Sequence, residues 1–316
     1  MASASNMFED LKSFHEYLSK SKRVLALCGA GLSASSGLPT FRGAGGLWRN
    51  HDATQLATPG AFEEQPDLVW RFYSYRRHMS LNAKPNAAHY AFAEYARRTP
   101  GFMNLSQNVD GLYQQANHPR DQLKLLHGTL FEVRCVSRAC GYVEENFTDP
   151  IVPSLAIPTD KSDPTTKEAL AEASKPKRKE VDIANAAVPI SKIPVKDLPQ
   201  CPKCKERMLR PNVVWFGEQL PIKTIDEIEE YLKEPEDVDL IIVVGTSAKV
   251  YPAAGYTTKA RMKGARVCVV NMDTNDAPAG GWNKGDWFFQ GDAAEIIPRL
   301  LQPVTGQVEI PRSSKV

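Results

Sequence analysis

The sequence predicts an α/β protein built on a buried parallel sheet, and three stretches carry that prediction. The run VLALC, residues 24–28, is apolar throughout, as suits a strand covered on both faces, and it passes straight into Gly29-Ala30-Gly31-Leu32-Ser33-Ala34. That spacing fits G-x-G-x-x-G/A. There glycine allows a positive-φ turn and lets backbone N–H groups approach a pyrophosphate at the start of the following helix. Further on, VDLIIVV (238–244), Gly245-Thr246-Ser247, a helix-like stretch over 253–262 and the apolar run 266–270 read as a β-α-β unit. Finally, Cys135 and Cys140 in CVSRAC and Cys201 and Cys204 in CPKC form two close pairs. Four thiolates so spaced suit one tetrahedral zinc with no open position, hence a structural metal; two pairs of free thiols are the alternative. The fold class is therefore α/β, a Rossmann-like parallel-sheet domain carrying an inserted small zinc-binding module and a helical module.

Length and composition narrow the function classes. A chain of 316 residues can bury a full core, and 42% apolar content is ordinary for a globular enzyme. A net charge of +2 argues against direct nucleic-acid binding, and no apolar run approaches the ~20 residues needed to cross a bilayer, so no membrane partner is expected. Six cysteines in a chain this long do not suggest a disulfide framework. The opening, MASASNMFEDLKSFHEYL, carries Glu9 and Asp10 and lacks both an Arg-rich face and an apolar signal core. No targeting peptide is expected from it; the cytoplasm or nucleus is the expected compartment, with mitochondria left open. Oligomeric state is not legible.

In chain order, residues 8–17 read as an amphipathic helix before the first strand, 23–28. After the first glycine loop comes a second, Pro39-Thr40-Phe41-Arg42-Gly43-Ala44-Gly45-Gly46-Leu47-Trp48, where a dehydrogenase would run through a helix into its next strand. The acidic residue that usually holds the ribose about 20 residues on would fall near Asp52, outside any strand pattern, so hydride transfer loses ground. Between 48 and 98 there is no strand pattern; 68–73 and 87–96 look helical, a module suited to a lid over the cofactor loop. The strand 101–106 ends in Gln107-Asn108-Val109-Asp110-Gly111-Leu112. Ligand sites lie beyond such carboxyl ends, although these side chains also serve as turn chemistry.

His127, in LLHGT, is either a structural histidine or a base whose ordinary pKa of about 6.5 suits proton abstraction near neutrality. Residues 151–199 contain no Phe, Trp or Tyr and are rich in Pro, Ser, Thr, Ala and Lys, so a disordered or loosely attached insertion is expected. Lys175-Pro176-Lys177-Arg178-Lys179 within it is a nuclear import signal or a solvated charge run. LRPNVVWFGE (209–218) is a core strand or a segment that offers its backbone to a substrate peptide. WFFQGDA (287–293) gives a last short strand, and the tail after Pro303 is expected to fray.

GAGLSASSGLPTFRG resembles the opening signature of the sirtuins, the NAD-dependent protein lysine deacylases. QNVDGL is close to that family's QN-(I/V)-DGL motif, LHGT matches its catalytic-histidine motif, and VVWFGE, GTS and N-x-(D/E/T) follow in the family's order. The resemblance implies that NAD is a co-substrate, contacted by Gly29, Ala30, Gly31, Ser33, Thr40, Phe41, Arg42 and Trp48. It implies further that Gln107, Asn108 and Asp110 contact the nicotinamide-side ribose and carboxamide. Gly245, Thr246, Ser247, Asn271 and Asp273 would serve the phosphates and adenosine ribose, and Ala293 would lie near adenine. His127 becomes the general base. Val214, Trp215, Phe216, Gly217 and Glu218 pair with the acyl-lysine peptide and line the acyl channel, while the zinc is structural and remote from the chemistry. The four residues between Cys135 and Cys140 are a wider gap than the family's common two.

On this reading 1–48, 99–130 and 209–303 form the Rossmann-like domain, 49–98 the helical module, 131–208 the zinc module and 304–316 a tail. The expected products are nicotinamide, free lysine and an O-acyl-ADP-ribose, and the expected partners are acylated proteins, with histones and metabolic enzymes among the candidates. A catalytically weak NAD- and zinc-binding silencing module and a zinc-containing dehydrogenase are the rival readings.

The acyl group is addressed by Phe72-Tyr73-Ser74-Tyr75-Arg76-Arg77. In a helix Tyr73 and Arg76 are i and i+3 and share a face, so a phenol and a guanidinium fork can meet one carboxylate. A solvated basic face is the alternative, since Arg71 and Arg77 lie beside them. The Y-x-x-R pair resembles the sirtuin subclass that removes malonyl, succinyl and glutaryl groups, and the small Ala57 in LATP matches that subclass's roomy pocket. Acetyl or crotonyl removal is the alternative within the family.

Overall fold

The computed structural model describes residues 4–40, 46–158, 180–247, 250–278 and 280–311. The expectations placed on Phe41, Arg42, the glycines at 43 and 45 and the basic run at 175–179 fall outside those residues. The chain forms two compact units. One comprises Met1–Thr40, Asn82–Thr129 and Glu218–Val316; the other comprises Phe41–Leu81 and Leu130–Gly217.

The first unit is organised on six strands, β1 (Val24–Cys28), β2 (Phe102–Ser106), β3 (Leu123–Leu125), β4 (Leu240–Val244), β5 (Arg266–Asn271) and β6 (Trp287–Gln290). They lie in the order β6-β5-β4-β1-β2-β3, every neighbouring pair parallel. Read from the other edge this is 3-2-1-4-5-6, the Rossmann order, whose reversal point lies between β1 and β4. β1, β2 and β4 are buried along their whole length; β1 and β4 are accordingly continuous apolar runs without alternation, while β2 also buries the polar Asn104 and Ser106.

Helices cover the sheet. Ala87–Arg98 starts from an Asn86 cap, and Ala293–Thr305 starts where the Asp292 carboxylate accepts from Ala294 N at 2.8 Å. Phe14, on the first helix (Ala4–Leu18), meets Trp287 edge-on at 5.3 Å. The last helix runs past Pro303 to Thr305, which is buried, so fraying begins later than the proline suggested.

The second unit holds a three-stranded sheet, Val143–Glu145, Gly128–Cys135 and Leu209–Val213 in that order, and the helix Pro66–Asn82. Trp70 and Phe72 on that helix are buried, and the Trp70 indole donates to Leu209 O at 3.1 Å. Three expectations need correction here. The stretch after residue 47 does contain strand, a two-residue antiparallel pair, Leu47–Trp48 with His51–Asp52, too short to leave a period-2 pattern. Arg77 is no solvated cation; it is 1% exposed and donates to the carbonyls of Leu130, Asn146 and Thr148. The described flanks of the 151–199 insertion are attached as well. Leu155, Ile183, Ile193 and Leu198 are buried, and Val181 N donates to Pro158 O at 2.8 Å. Aliphatic side chains and backbone hydrogen bonds do there what the missing aromatics would have done.

Candidate active site

In the first unit, the loops leaving β1, β2, β4 and β5 meet at the carboxyl edge of the sheet. The chain after β1 turns into a 3₁₀ helix, Ala30–Ser36, rather than the α-helix that the glycine spacing predicted. Nor does positive φ explain the first glycines, since Gly29 is extended (φ −120°). Close approach explains them instead. A Cβ on Gly29 would lie 2.7 Å from Thr246 Cβ, and one on Gly31 would lie 2.7 Å from Gly245 Cα. Gly31 N donates to Gly245 O at 2.9 Å, and Gly245 itself does adopt φ +57°. The two loops at the reversal point therefore cross backbone to backbone, leaving main-chain groups and small hydroxyls to line the edge.

Polar side chains lock this crossing. Asn108 Nδ2 donates to Gly29 O at 3.0 Å and to Ser33 Oγ at 3.2 Å, and the Ser33 hydroxyl donates to Asp110 Oδ2 at 2.7 Å. Asp110 Oδ1 accepts from Leu112 N, and both Asn108 and Asp110 are buried. Gln107 Nε2 donates to Thr246 Oγ1 at 3.1 Å, and Asn271 Nδ2 donates to Thr246 O at 3.1 Å and to Asp276 at 2.9 Å. Asp273 instead caps its own turn, accepting from Asn275 N, while Ala293 is buried at the start of its helix.

The sequence reading missed His89. Its Nδ1 accepts from Asn86 N at 3.2 Å, which leaves Nε2–H to face Ser33 Oγ at 3.4 Å. Burial pushes its pKa down to about 3, so at neutrality it is an uncharged donor behind Ser33. A signal was present: Asn86 and His89 make a reciprocal helix cap, and a histidine among Ala88, Ala91 and Phe92 is a polar group on an apolar face.

His127 lies between β3 and the strand Gly128–Cys135. Its Nδ1 is 3.0 Å from Gln107 O. A carbonyl only accepts, so Nδ1 carries the proton and Nε2 keeps its lone pair. Burial lowers the pKa, against the opposing pull of the Gln107 carbonyl. The result is a half-buried neutral imidazole, held in one tautomer, with its basic nitrogen uncommitted by that bond.

In the second unit the four cysteines converge, with their sulfurs all within 4.8 Å of one another. Cys135 and Cys204 sulfurs are 3.8 Å apart and those of Cys140 and Cys201 3.7 Å. Zn–S bonds of about 2.3 Å in a tetrahedron place sulfurs about 3.8 Å apart, so this donor set fits a structural zinc. The wider Cys135–Cys140 spacing does not disturb it.

Tyr73 and Arg76 stand one turn apart on the helix Pro66–Asn82. The Tyr73 ring lies 4.9 Å from Phe72 and 6.3 Å from Trp215, and the Arg76 guanidinium sits 5.4 Å over the Phe72 ring. Trp48 also packs edge-on to Phe72, at 5.7 Å, and its buried indole N–H has no partner among the described residues. The strand after Leu209 ends at Val213, and 214–217 leaves it as irregular chain. Trp215 is buried beneath the Arg210 guanidinium, at 3.2 Å, whereas Phe216 and Gly217 are exposed. Phe216 N donates to Ala57 O at 2.9 Å, joining two segments that the sequence reading assigned to the acyl group.

A parallel sheet in this order, with paired glycine loops at its reversal point and a four-cysteine centre, defines an α/β nucleotide-binding protein with a structural metal module. The chain belongs to the Sir2 family, whose model matches residues 29–252. It is 43% identical over 307 residues to an NAD-dependent protein deacylase of Candida albicans, covering 96% of this chain and 100% of that one. It is 39% identical over 311 residues to the NAD-dependent protein deacylase sirtuin-5, mitochondrial, of Canis lupus familiaris, covering 96% and 88%. Among solved structures it resembles a Sir2 homolog–NAD complex with a TM-score of 0.70 at 33% identity, over 96% of this chain and 95% of that one. A Sir2 variant with a deacetylated peptide and 3′-O-acetyl ADP ribose gives 0.66 at 25% identity, over 95% and 100%. The family and fold class expected from the sequence are thereby established, and the dehydrogenase reading falls.

Proposed function

We propose that the protein removes acyl groups from lysine side chains of other proteins and consumes NAD in doing so, giving nicotinamide and an O-acyl-ADP-ribose. The carrying observation is His127, a neutral imidazole with Nε2 available, held by the carbonyl of Gln107 at the carboxyl edge of the sheet. The crossing at Gly29, Gly31 and Gly245, with Ser33, Thr246 and Ser247 beside it, suits the pyrophosphate and riboses of NAD because closely approaching glycine backbone and small hydroxyl side chains form it. NAD supplies a ribose carbon from which nicotinamide departs. His127 Nε2 accepts the proton of a ribose hydroxyl, and the Gln107 carbonyl steadies the charge that the ring acquires. Asn108 and Asp110, fixed through Ser33, orient the nicotinamide-side ribose and carboxamide, with Asn271 and Asp273 toward the adenosine ribose and Ala293 toward adenine. Thr40, Phe41, Arg42 and Trp48 complete the cofactor-contacting set.

In the second unit, Val214 to Gly217 and the adjoining Glu218 take the substrate backbone, and Tyr73 and Arg76 select an acyl group ending in a carboxylate: succinyl, malonyl or glutaryl. The four cysteines hold zinc for structure alone. For compartment we propose the cytoplasm or nucleus. The mitochondrial names of relatives supply the competing expectation, and imaging of the tagged protein decides between them.

The test is nicotinamide release that depends on an acyl-lysine peptide, run over acetyl, crotonyl, malonyl, succinyl and glutaryl forms. Release with peptide alone is the expected result. No release with any acyl peptide, at full NAD occupancy, would overturn the proposal.

A further inference from the structure

The helix Pro66–Asn82 carries Tyr73 and Arg76 on one face, and a different part of the chain grips its opposite face. Asp67, Arg71, Tyr75 and His78 stand at i, i+4, i+8 and i+11, a single stripe. At about 100° per residue that stripe points away from Tyr73 and Arg76. Each of its four side chains holds the segment 180–193, which runs along the helix in the reverse direction. His78 Nε2 lies 2.8 Å from Glu180, Tyr75 is hydrogen-bonded to Asp182, Arg71 donates to Ser191 O, and Asp67 accepts from Ile193 N at 3.2 Å. Ile183 and Ile193 are buried along it.

A single residue fastens the middle of this segment. Arg49 donates through its guanidinium to the carbonyls of Ile183 (3.0 Å), Ala186 (3.1 Å) and Val188 (2.8 Å), and its own N–H donates to Ala184 O (2.9 Å). It does so from the left-handed region, φ 56°, a conformation that arginine adopts only when its surroundings enforce it. These bonds satisfy backbone groups in a stretch that forms no helix or sheet of its own.

We propose that segment 180–193, fastened by Arg49, is a brace that fixes the rotation and register of the acyl-selecting helix, so that Arg49 and Tyr75 are positioning residues for acyl specificity. The inference rests on the assignment of Tyr73 and Arg76 to the acyl group. It concerns a part of the chain whose composition suggested no packing at all. A guanidinium fork discriminates between a carboxylate and a methyl group only while its position is held to a fraction of an ångström. A helix free to rotate a few degrees would still pack, and the enzyme would still turn over acetyl-lysine, but the fork would lose its aim.

The experiment uses Arg49→Met and the milder Tyr75→Phe in the whole chain, with melting temperature and zinc content confirming the fold. Hydrogen exchange over residues 66–82 is measured together with kcat and KM for succinyl-, acetyl-lysine peptide and NAD. Faster exchange in the helix is expected, with a succinyl KM raised about fivefold or more while acetyl kinetics and the NAD KM stay within about twofold. Equal losses on both peptides would show a merely structural role, and unchanged exchange would show that nothing is braced; either result overturns the proposal. If the unmodified protein shows no preference for succinyl-lysine, the acyl assignment fails instead. The brace then stands or falls on the exchange data alone.

Discussion

The two units secure their functional side chains by different physics. At the carboxyl edge of the parallel sheet, Ser33, Asn108, Asp110 and Gln107 are held by hydrogen bonds to one another and to backbone, each side chain fixed by groups that sit at strand ends. On the helix Pro66–Asn82, Tyr73 and Arg76 make ring contacts with Phe72 and Trp215, while a segment distant in sequence grips the helix's opposite face through His78. Hydrogen-bond geometry tolerates little exchange of residue type, so the first region reads as a motif. Packing tolerates much, so the second leaves a weak pattern. The first suits a reaction common to all substrates and the second suits the choice among them.

The largest expected effect separates the units outright. Cys204→Ala, or prolonged chelation, removes the donor set that ties the end of the strand Gly128–Cys135 to the chain at 201–204 in the second unit. Structural zinc contributes on the order of 10 kcal/mol of folding free energy. Hydrogen-exchange protection is expected to vanish across 130–158 and 180–217 while the amides of β1, β2 and β4 keep theirs. Equal loss in the sheet would mean that the two units do not have separable stabilities. Next in size, His127→Ala is expected to lower turnover by ~10² or more with NAD affinity within several-fold, as for loss of a general base. Isothermal titration and single-turnover kinetics check the two halves of that statement.

Acid should also strike the first unit through its buried imidazoles. Burial pushes His89 down to about 3 and His118 to about 4, so both are neutral when folded and protonate more readily when unfolded. The unfolded chain therefore binds more protons below about pH 6.5, and stability falls with pH from there until the folded pKa values are passed. With zinc in excess, the unfolding free energy of the sheet unit should drop by about 2 to 3 kcal/mol per pH unit between pH 6 and 5. His118→Gln should reduce that slope by nearly half. A slope unchanged from the wild type would assign the acid sensitivity elsewhere. The lowered pKa of His127 acts in the same direction on stability, yet it keeps the proposed base unprotonated, so the acidic limb of kcat/KM should lie below pH 6.5.

Much of this was legible in the sequence because strands, glycine crossings and cysteine pairs leave local signatures. VLALC and VDLIIVV announced buried parallel strands, and the cysteine spacing announced the zinc-fitting cluster. What was not legible depends on contacts between distant residues. Nothing near Gly29 says that its neighbour will be Thr246, so its smallness read as a turn requirement instead of a close approach. Arg77 looked like surface charge because its three carbonyl acceptors come from 130, 146 and 148. The insertion flanks looked loose because a count of aromatics cannot register Arg49 collecting three carbonyls. Removing 161–182, which composition alone would call harmless, takes away Glu180 and Asp182 and with them two of the grips on the helix.

The smallest expected effect is the one that sharpens the comparison most, because it touches choice and leaves chemistry alone. An acetyl group offers the Arg76 guanidinium, which sits over the Phe72 ring, no carboxylate to accept its hydrogen bonds. A succinyl carboxylate supplies a bidentate acceptor, and the Tyr73 hydroxyl can add a third bond. The unmodified protein is therefore expected to prefer succinyl- over acetyl-lysine by at least ~10-fold in kcat/KM, about 1.4 kcal/mol. Arg76→Met keeps the helix propensity and most of the contact with Phe72 while removing the charge. It should abolish or reverse the preference, chiefly through succinyl KM, with acetyl turnover and the hydrogen-bonded cluster around Ser33 undisturbed. A variant that lost acetyl activity equally would show that the helix belongs to the common reaction, and the division of labour between the two units would have to be abandoned.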